Sequence, residues 1–234
     1  MIEPKDCYLT DTCPKYQNTN GQCVADNFCL KQFKIENLLS ETLLTDLQKK
    51  RLSLRLDADR TDEDEFYRLQ QISNNIEEWV KGGGNLYIYS ATTGNGKTAW
   101  SIRLLQEYIN KIWPYADMTC KALFINVPRY LLAIKDSISN YNAYAAHIKE
   151  NVNNADLVIW DDIATKGVTE FESENLLAII DNRMNEGKAN IFTSNVGAED
   201  MESLLGPRLT SRLKNFSEWI VFNGKDKRSV RVNI

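Results

Sequence analysis

Histidine is nearly missing from this chain: His147 is the single one among 234 residues. A Ser-His-Asp or Cys-His hydrolase would have to be built on that one imidazole, so much nucleophilic chemistry is excluded. His147 stands between Ala146 and Ile148, a setting that suits a half-buried structural side chain, and it is assigned no role. Apolar runs long enough to span a bilayer are also absent, with hydrophobic residues at 43% and charged residues at 26%. No membrane is implied. Residues 1–6 carry neither a basic start nor a following apolar run, so no secretory signal is expected and the cytoplasm is the expected compartment. A large positive charge is missing too. With a formal net charge of −4, the surface as a whole is not a nucleic-acid grip, although Lys225, Lys227, Arg228 and Arg231 make a local basic cluster. No internal repeat or low-complexity stretch is present.

Cysteine is scarce beyond residue 29. Four of the five cysteines, Cys7, Cys13, Cys23 and Cys29, form two C-x5-C pairs nine residues apart. Disulfides are disfavoured without secretion, and clustered thiolates suit a tetrahedral Zn²⁺ site that stands in for a core too small to fold alone. The tight C-x2-C knuckle is lacking, so free or partly buried thiols are the alternative. Cys120 stands apart, before an apolar run, where packing is expected.

The most informative segment is residues 86–100, an apolar strand, then a loop ending in Gly94, Asn95, Gly96, Lys97 and Thr98, then a helix. Backbone N–H groups of such a loop can wrap phosphates, the helix adds its positive end, Lys97 adds a cation, and the Thr98 hydroxyl can ligate Mg²⁺. The phosphate contacts fall to Thr93, Gly94, Asn95, Gly96, Lys97, Thr98 and Ala99. The full G-x-x-x-x-G-K-[ST] pattern wants glycine where Ala91 stands, which is harmless only at negative φ.

Around that loop, short apolar strands alternate with amphipathic helices, which calls for an α/β fold with a parallel sheet flanked by helices. Helices are expected over residues 97–112, 128–139, 142–151, 170–185 and 198–214, and strands over 86–90, 122–126, 156–160, 190–194, 218–222 and 229–232. One helix is expected to run from an N-cap at Thr61, with Asp64 at N3, to the glycines at 82–84. Leucines within residues 33–56 predict amphipathic helix that could also dock a partner. The domain boundary is expected near residue 60, with a zinc-binding and helical domain over 1–60 and the nucleotide-binding domain over 61–234.

Two further signatures support a nucleotide site. The strand at 156–160 runs into Asp161 and Asp162; the first carboxylate would hold the metal and the second would orient water. The strand at 190–194 runs into Asn195, whose amide can reach an attacking water or a γ-phosphate. Arg208 and Arg212, spaced i, i+4, share a helical face and could serve a neighbouring subunit as an arginine finger.

These motifs, together with Leu204 to Leu213 and Trp219 to Arg231, resemble the AAA+ ATPases that load replicative helicases, the DnaC/DnaI type and their phage counterparts. The resemblance implies Lys97 and Thr98 in Walker A, Asp161 as the Walker B acid, Asp162 as the catalytic acid, Asn195 as sensor one, Arg212 as arginine finger and Arg228 as the sensor-two arginine. It implies ATP and Mg²⁺ as cofactors beside the Zn²⁺ of the cysteines. As partners it implies a hexameric replicative helicase, single-stranded DNA and further copies of the chain. Asp162 stands where the family usually has glutamate, and the shorter acid predicts slow hydrolysis. Two other readings use the same residues: a transposition helper ATPase of the IstB kind, and a non-catalytic zinc adaptor of a replication protein.

Overall fold

The computed structural model describes residues 27–50, 54 and 60–226. Cys7, Cys13, Cys23, Arg228 and the strand expected at 229–232 lie outside the described residues. Five parallel strands form the sheet, β1 (Asn85–Tyr89), β2 (Ala122–Asn126), β3 (Leu157–Asp161), β4 (Ala189–Ser194) and β5 (Glu218–Val221), in the order β2-β3-β4-β1-β5. Ten helices accompany it among the described residues: α1 (Asn27–Ser40), α2 (Asp46–Lys49), α3 (Glu63–Asn74), α4 (Ile76–Lys81), α5 (Lys97–Ile112), α6 (Val127–Asp136), α7 (Ala143–Asn151), α8 (Glu170–Asn185), α9 (Met201–Leu205) and α10 (Pro207–Phe216).

Alternation along the strands divides the core in two. Leu86, Ile88, Leu157, Ile159, Ile191 and Ile220 pack toward α3, α4 and α5, whereas Tyr87, Leu123, Ile125, Val158, Trp160 and Phe192 pack toward α6 through α10. Both faces are covered, so β3 and β4 are buried throughout; Leu157 to Trp160 is an unbroken apolar run, while β4 also buries the polar Asn190, Thr193 and Ser194. Ile35, Leu38 and Leu44 join the first layer. The edge strand β2 is also met by this segment: the Phe124 N–H donates to Thr42 O at 2.8 Å. His147 Nε2 lies 2.9 Å from Glu41 O, and Cys120 is buried, its thiol pushed up to about 12 by desolvation.

Several helices start where their side chains can satisfy the free N–H groups. Asn126 caps α6, Asn142 caps α7, and Thr169 with Glu172 forms a capping box on α8. Three expectations change in detail. The helix expected to start at Thr61 begins after Asp62, which makes no side-chain cap bond, and it is broken at Asn75 into α3 and α4. The helical stretch at 198–214 is likewise two helices, because Gly206 holds φ 82° and ψ 161°, outside any helical conformation.

One buried cation ties the layers together. Arg183 of α8 is fully buried, and its guanidinium donates to Ala155 O at 2.8 Å, Ala189 O at 2.7 Å, Asn190 Oδ1 at 2.8 Å and to Val152 O. Desolvation lowers its pKa to about 9. The same Asn190 Oδ1 accepts from Trp160 Nε1, while its Nδ2 donates to Asn85 Oδ1 at 2.8 Å, so the starts of β1 and β4 are cross-linked by side chains.

Candidate functional site

All five strands point their carboxyl ends the same way, and the sequence-predicted polar residues gather there, as expected of a crevice beyond a parallel sheet. The loop leaves β1 at Tyr89 and enters α5 at Lys97. Gly94 and Gly96 hold φ 76° and 107°, the left-handed values that let successive N–H groups turn inward. Ala91 is not among the positive-φ residues, so its Cβ is accommodated and the departure from the glycine pattern carries no strain. Ser90 fastens the loop: its Oγ accepts from the Thr92 N–H at 3.1 Å and from Asn95 Nδ2. Lys97 is buried, with Nζ 3.0 Å from Thr92 O and 3.3 Å from Asn95 Oδ1. Thr93 is exposed and Ala99 half-buried.

Across the crevice, Thr98 Oγ1 donates to Asp161 Oδ1 at 2.8 Å. Thr193 Oγ1 donates to the same oxygen at 2.7 Å and accepts the Asp162 N–H at 3.0 Å. Burial raises the pKa of Asp161 and the neighbouring charge of Asp162 adds to this, while hydrogen bonds from Thr193, Thr98 and Asn126 pull the other way. A hard divalent cation is the natural counter-charge for such a carboxylate beside a hydroxyl. Asp162 itself holds φ 59°, and Ala164 φ 66°; Asp tolerates this left-handed region better than most side chains. Hydrogen bonds from Ile163 N–H to Thr193 O at 3.0 Å and from Ser194 Oγ to Ile163 O at 2.7 Å hold the turn to β4.

Asn195 follows β4 directly, and its Oδ1 is buried without a hydrogen-bond partner. An orphaned acceptor just past the carboxyl end of β4 suits a bound water or polar ligand group. Arg212 does not reach this crevice in the single chain: its Nε lies 2.6 Å from Asp181 Oδ1, on α8. Arg208 is exposed. Of the four grouped cysteines only Cys29 is described, half-buried with a free thiol.

Sequence reasoning passed over Ser90, Asn126 and Thr193. Thr193 and Asn126 carried the signal used for Asn195, a polar side chain at the carboxyl end of a strand flanking the one that delivers Asp161.

The family model of the bacterial DnaA ATPase domain matches residues 67–217, a stretch that includes the loop, both acids and Arg212. The chain belongs to that family. The DnaA-type ATPase domain here is also similar to the replicative helicase loader DnaC of Escherichia coli strain K12, with 25% identity over 170 residues, 71% of this chain and 65% of that protein. Among solved structures it resembles the DnaC helicase loader, with TM-score 0.58 and 16% identity over 76% of this chain and 99% of that one. It resembles DnaI with TM-score 0.61 and 15% identity over 80% of this chain and 95% of that one. At these identities the two structural likenesses concern the fold. No helix among the described residues is long and apolar enough to cross a membrane.

Proposed function

We propose that this chain is an ATP-dependent loader of the replicative DNA helicase, acting in replication initiation, which binds the hexameric helicase and engages single-stranded DNA. The observation that carries this reading is the similarity to the DnaC loader over 170 residues of a chain whose Thr98 and Asp161 meet at 2.8 Å. Mg-ATP supplies the phosphoryl chemistry when bound. Within the chain, the amides of Thr93 through Ala99 cradle phosphates, Lys97 offsets their charge, and Thr98 with ionised Asp161 holds the metal. Asp162 orients water and Asn195 senses the terminal phosphate; Asp162 is one methylene shorter than glutamate, which favours slow turnover and use of ATP as a switch. Arg212, and Arg228 in the terminal segment, complete a site shared between copies of the chain.

A partner-binding front end over residues 1–60 of a cytoplasmic protein would be joined to the ATPase domain over residues 61–234 through Ile35, Leu38 and Leu44, which share its core. Zn²⁺ held by Cys7, Cys13, Cys23 and Cys29 would order that front end; metal analysis with thiol titration checks it.

Lys97→Ala tests the site. It is expected to abolish ATP binding, and intact affinity would sink the assignment. Recovery of a hexameric helicase with the chain, and ATP-dependent change in the mass of that complex, tests the loader role; recovery of a transposase instead would favour the IstB-like reading.

A further inference from the structure

Asp62 is buried and holds φ 64°, yet its carboxylate does not cap the helix that follows it. It is spent elsewhere. Oδ1 accepts the Asn223 N–H at 2.7 Å and Oδ2 accepts the Gly224 N–H at 2.9 Å, 161 and 162 positions away. Just before, the Phe222 N–H donates to Tyr89 O at 2.8 Å, so the chain leaving β5 follows the end of β1 until Asp62 takes hold of it. This path delivers Asp226 to the phosphate loop. A Cβ on Gly94 would fall inside the Asp226 carboxylate, which therefore lies directly against the loop backbone. Glycine at 94 thus meets two needs, the φ of 76° and this close approach.

A carboxylate and a phosphate carry the same sign of charge, and like charges a few ångströms apart near a protein surface repel each other. We infer that Asp62 is a positioning residue that docks residues 223–226 on the loop, where Asp226 competes with nucleotide phosphate and is displaced when nucleotide binds. The inference rests on the nucleotide-site reading above. Apparent affinity is then lowered in proportion to the docked fraction, and whatever draws the terminal segment away raises it without touching the site.

The test titrates fluorescently labelled Mg-ATP into the full chain as wild type, Lys97→Ala, Asp226→Ala, Asp226→Glu, Asp62→Asn, Asp62→Ala and the Asp62→Ala/Asp226→Ala pair. Asp226→Ala is expected to bind about three- to tenfold tighter than wild type, since removing the competitor restores the open fraction. Asp226→Glu should return toward wild type, and the double variant should gain nothing over Asp226→Ala, because both changes act through one docked segment. Thermal unfolding of each variant separates loss of docking from loss of fold; Asp226 is exposed, so its replacement is expected to cost no more than the docking itself, about 1.4 kcal/mol for a tenfold effect. Unchanged or weaker binding in Asp226→Ala, with Lys97→Ala still abolishing it, overturns the inference and leaves the nucleotide site standing. If no form binds nucleotide, the site reading fails on its own. Amide hydrogen exchange over residues 93–97 then decides the docking: faster exchange in Asp226→Ala and Asp62→Asn supports it, and equal exchange overturns it.

Discussion

Arg212 Nε sits 2.6 Å from Asp181 Oδ1, joining α10 to α8 within one chain. The Asp181 oxygen makes no aligned hydrogen bond, so charge rather than directed donation holds the pair, and the guanidinium also lies 5.5 Å from the Phe216 ring. Both side chains are partly exposed, at 39% and 31%, which limits such a pair to less than about 1 kcal/mol. The proposed arginine finger is therefore held by a partner weak enough to be exchanged for one on a neighbouring copy.

That exchange can be measured by phosphate release across a protein-concentration series. Arg212→Ala should keep monomer ATP binding within about twofold while losing the concentration-dependent rise in turnover. Asp181→Asn should shift the rise to lower concentration by up to about fivefold, the equivalent of the pair's strength. Superimposable curves for Asp181→Asn and wild type would show that the pair does not restrain the finger.

Asp161 links the site to pH. Its pKa is raised in the fold, first by burial and then by Asp162. Such a group contributes stability below its unfolded pKa and loses that contribution as pH rises through the folded value. Near neutral pH the ionised carboxylate is thus a cost in the nucleotide-free protein. Asp161→Asn keeps an acceptor for Thr98 and Thr193 and should raise the melting temperature by about 2–4 °C at pH 7, with the advantage shrinking in acid. The same change should weaken Mg²⁺-dependent ATP binding at least about tenfold, since the metal needs the ionised form. In wild type that binding should weaken as pH falls through the raised pKa. Equal melting temperatures at neutral and acid pH would contradict the assignment.

Arg183 sets the stability of the sheet end remote from the site. Arg183→Met keeps the aliphatic length but takes the guanidinium donor from Val152 O, Ala155 O and Ala189 O and leaves Asn190 Oδ1 with Trp160 Nε1 alone. Urea unfolding should report a loss of about 3–5 kcal/mol. A loss below about 1 kcal/mol would mean that water replaces the guanidinium.

Much of the architecture was legible in the residues because its signals are local. The spans of α5, β2 and α8 follow from periodicity and end signals, and the parallel order follows from strands alternating with helices. Thr61 misled because Thr, two intervening residues and an acid look like a cap, yet the neighbouring Asp62 is the residue that matters, and its partners are 161 and 162 positions away. The break at Gly206 was missed because apolar periodicity continues across it, while its φ and ψ depend on how α9 and α10 each meet the core.

By itself, the sequence determined which chemistry the chain carries: glycines where the loop needs positive φ, a lysine and a threonine next to them, and acids at a strand end. Those are properties of single residues and short spacings. Only tertiary structure decided which groups meet. It brings Thr98 to Asp161 across 63 positions, fixes Asp161 and Asp162 with one threonine, turns Arg212 to Asp181 and lays Asp226 on Gly94. The reason is physical: each contact is chosen by burial on a sheet whose neighbouring strands lie far apart in the chain, and no local pattern records that choice.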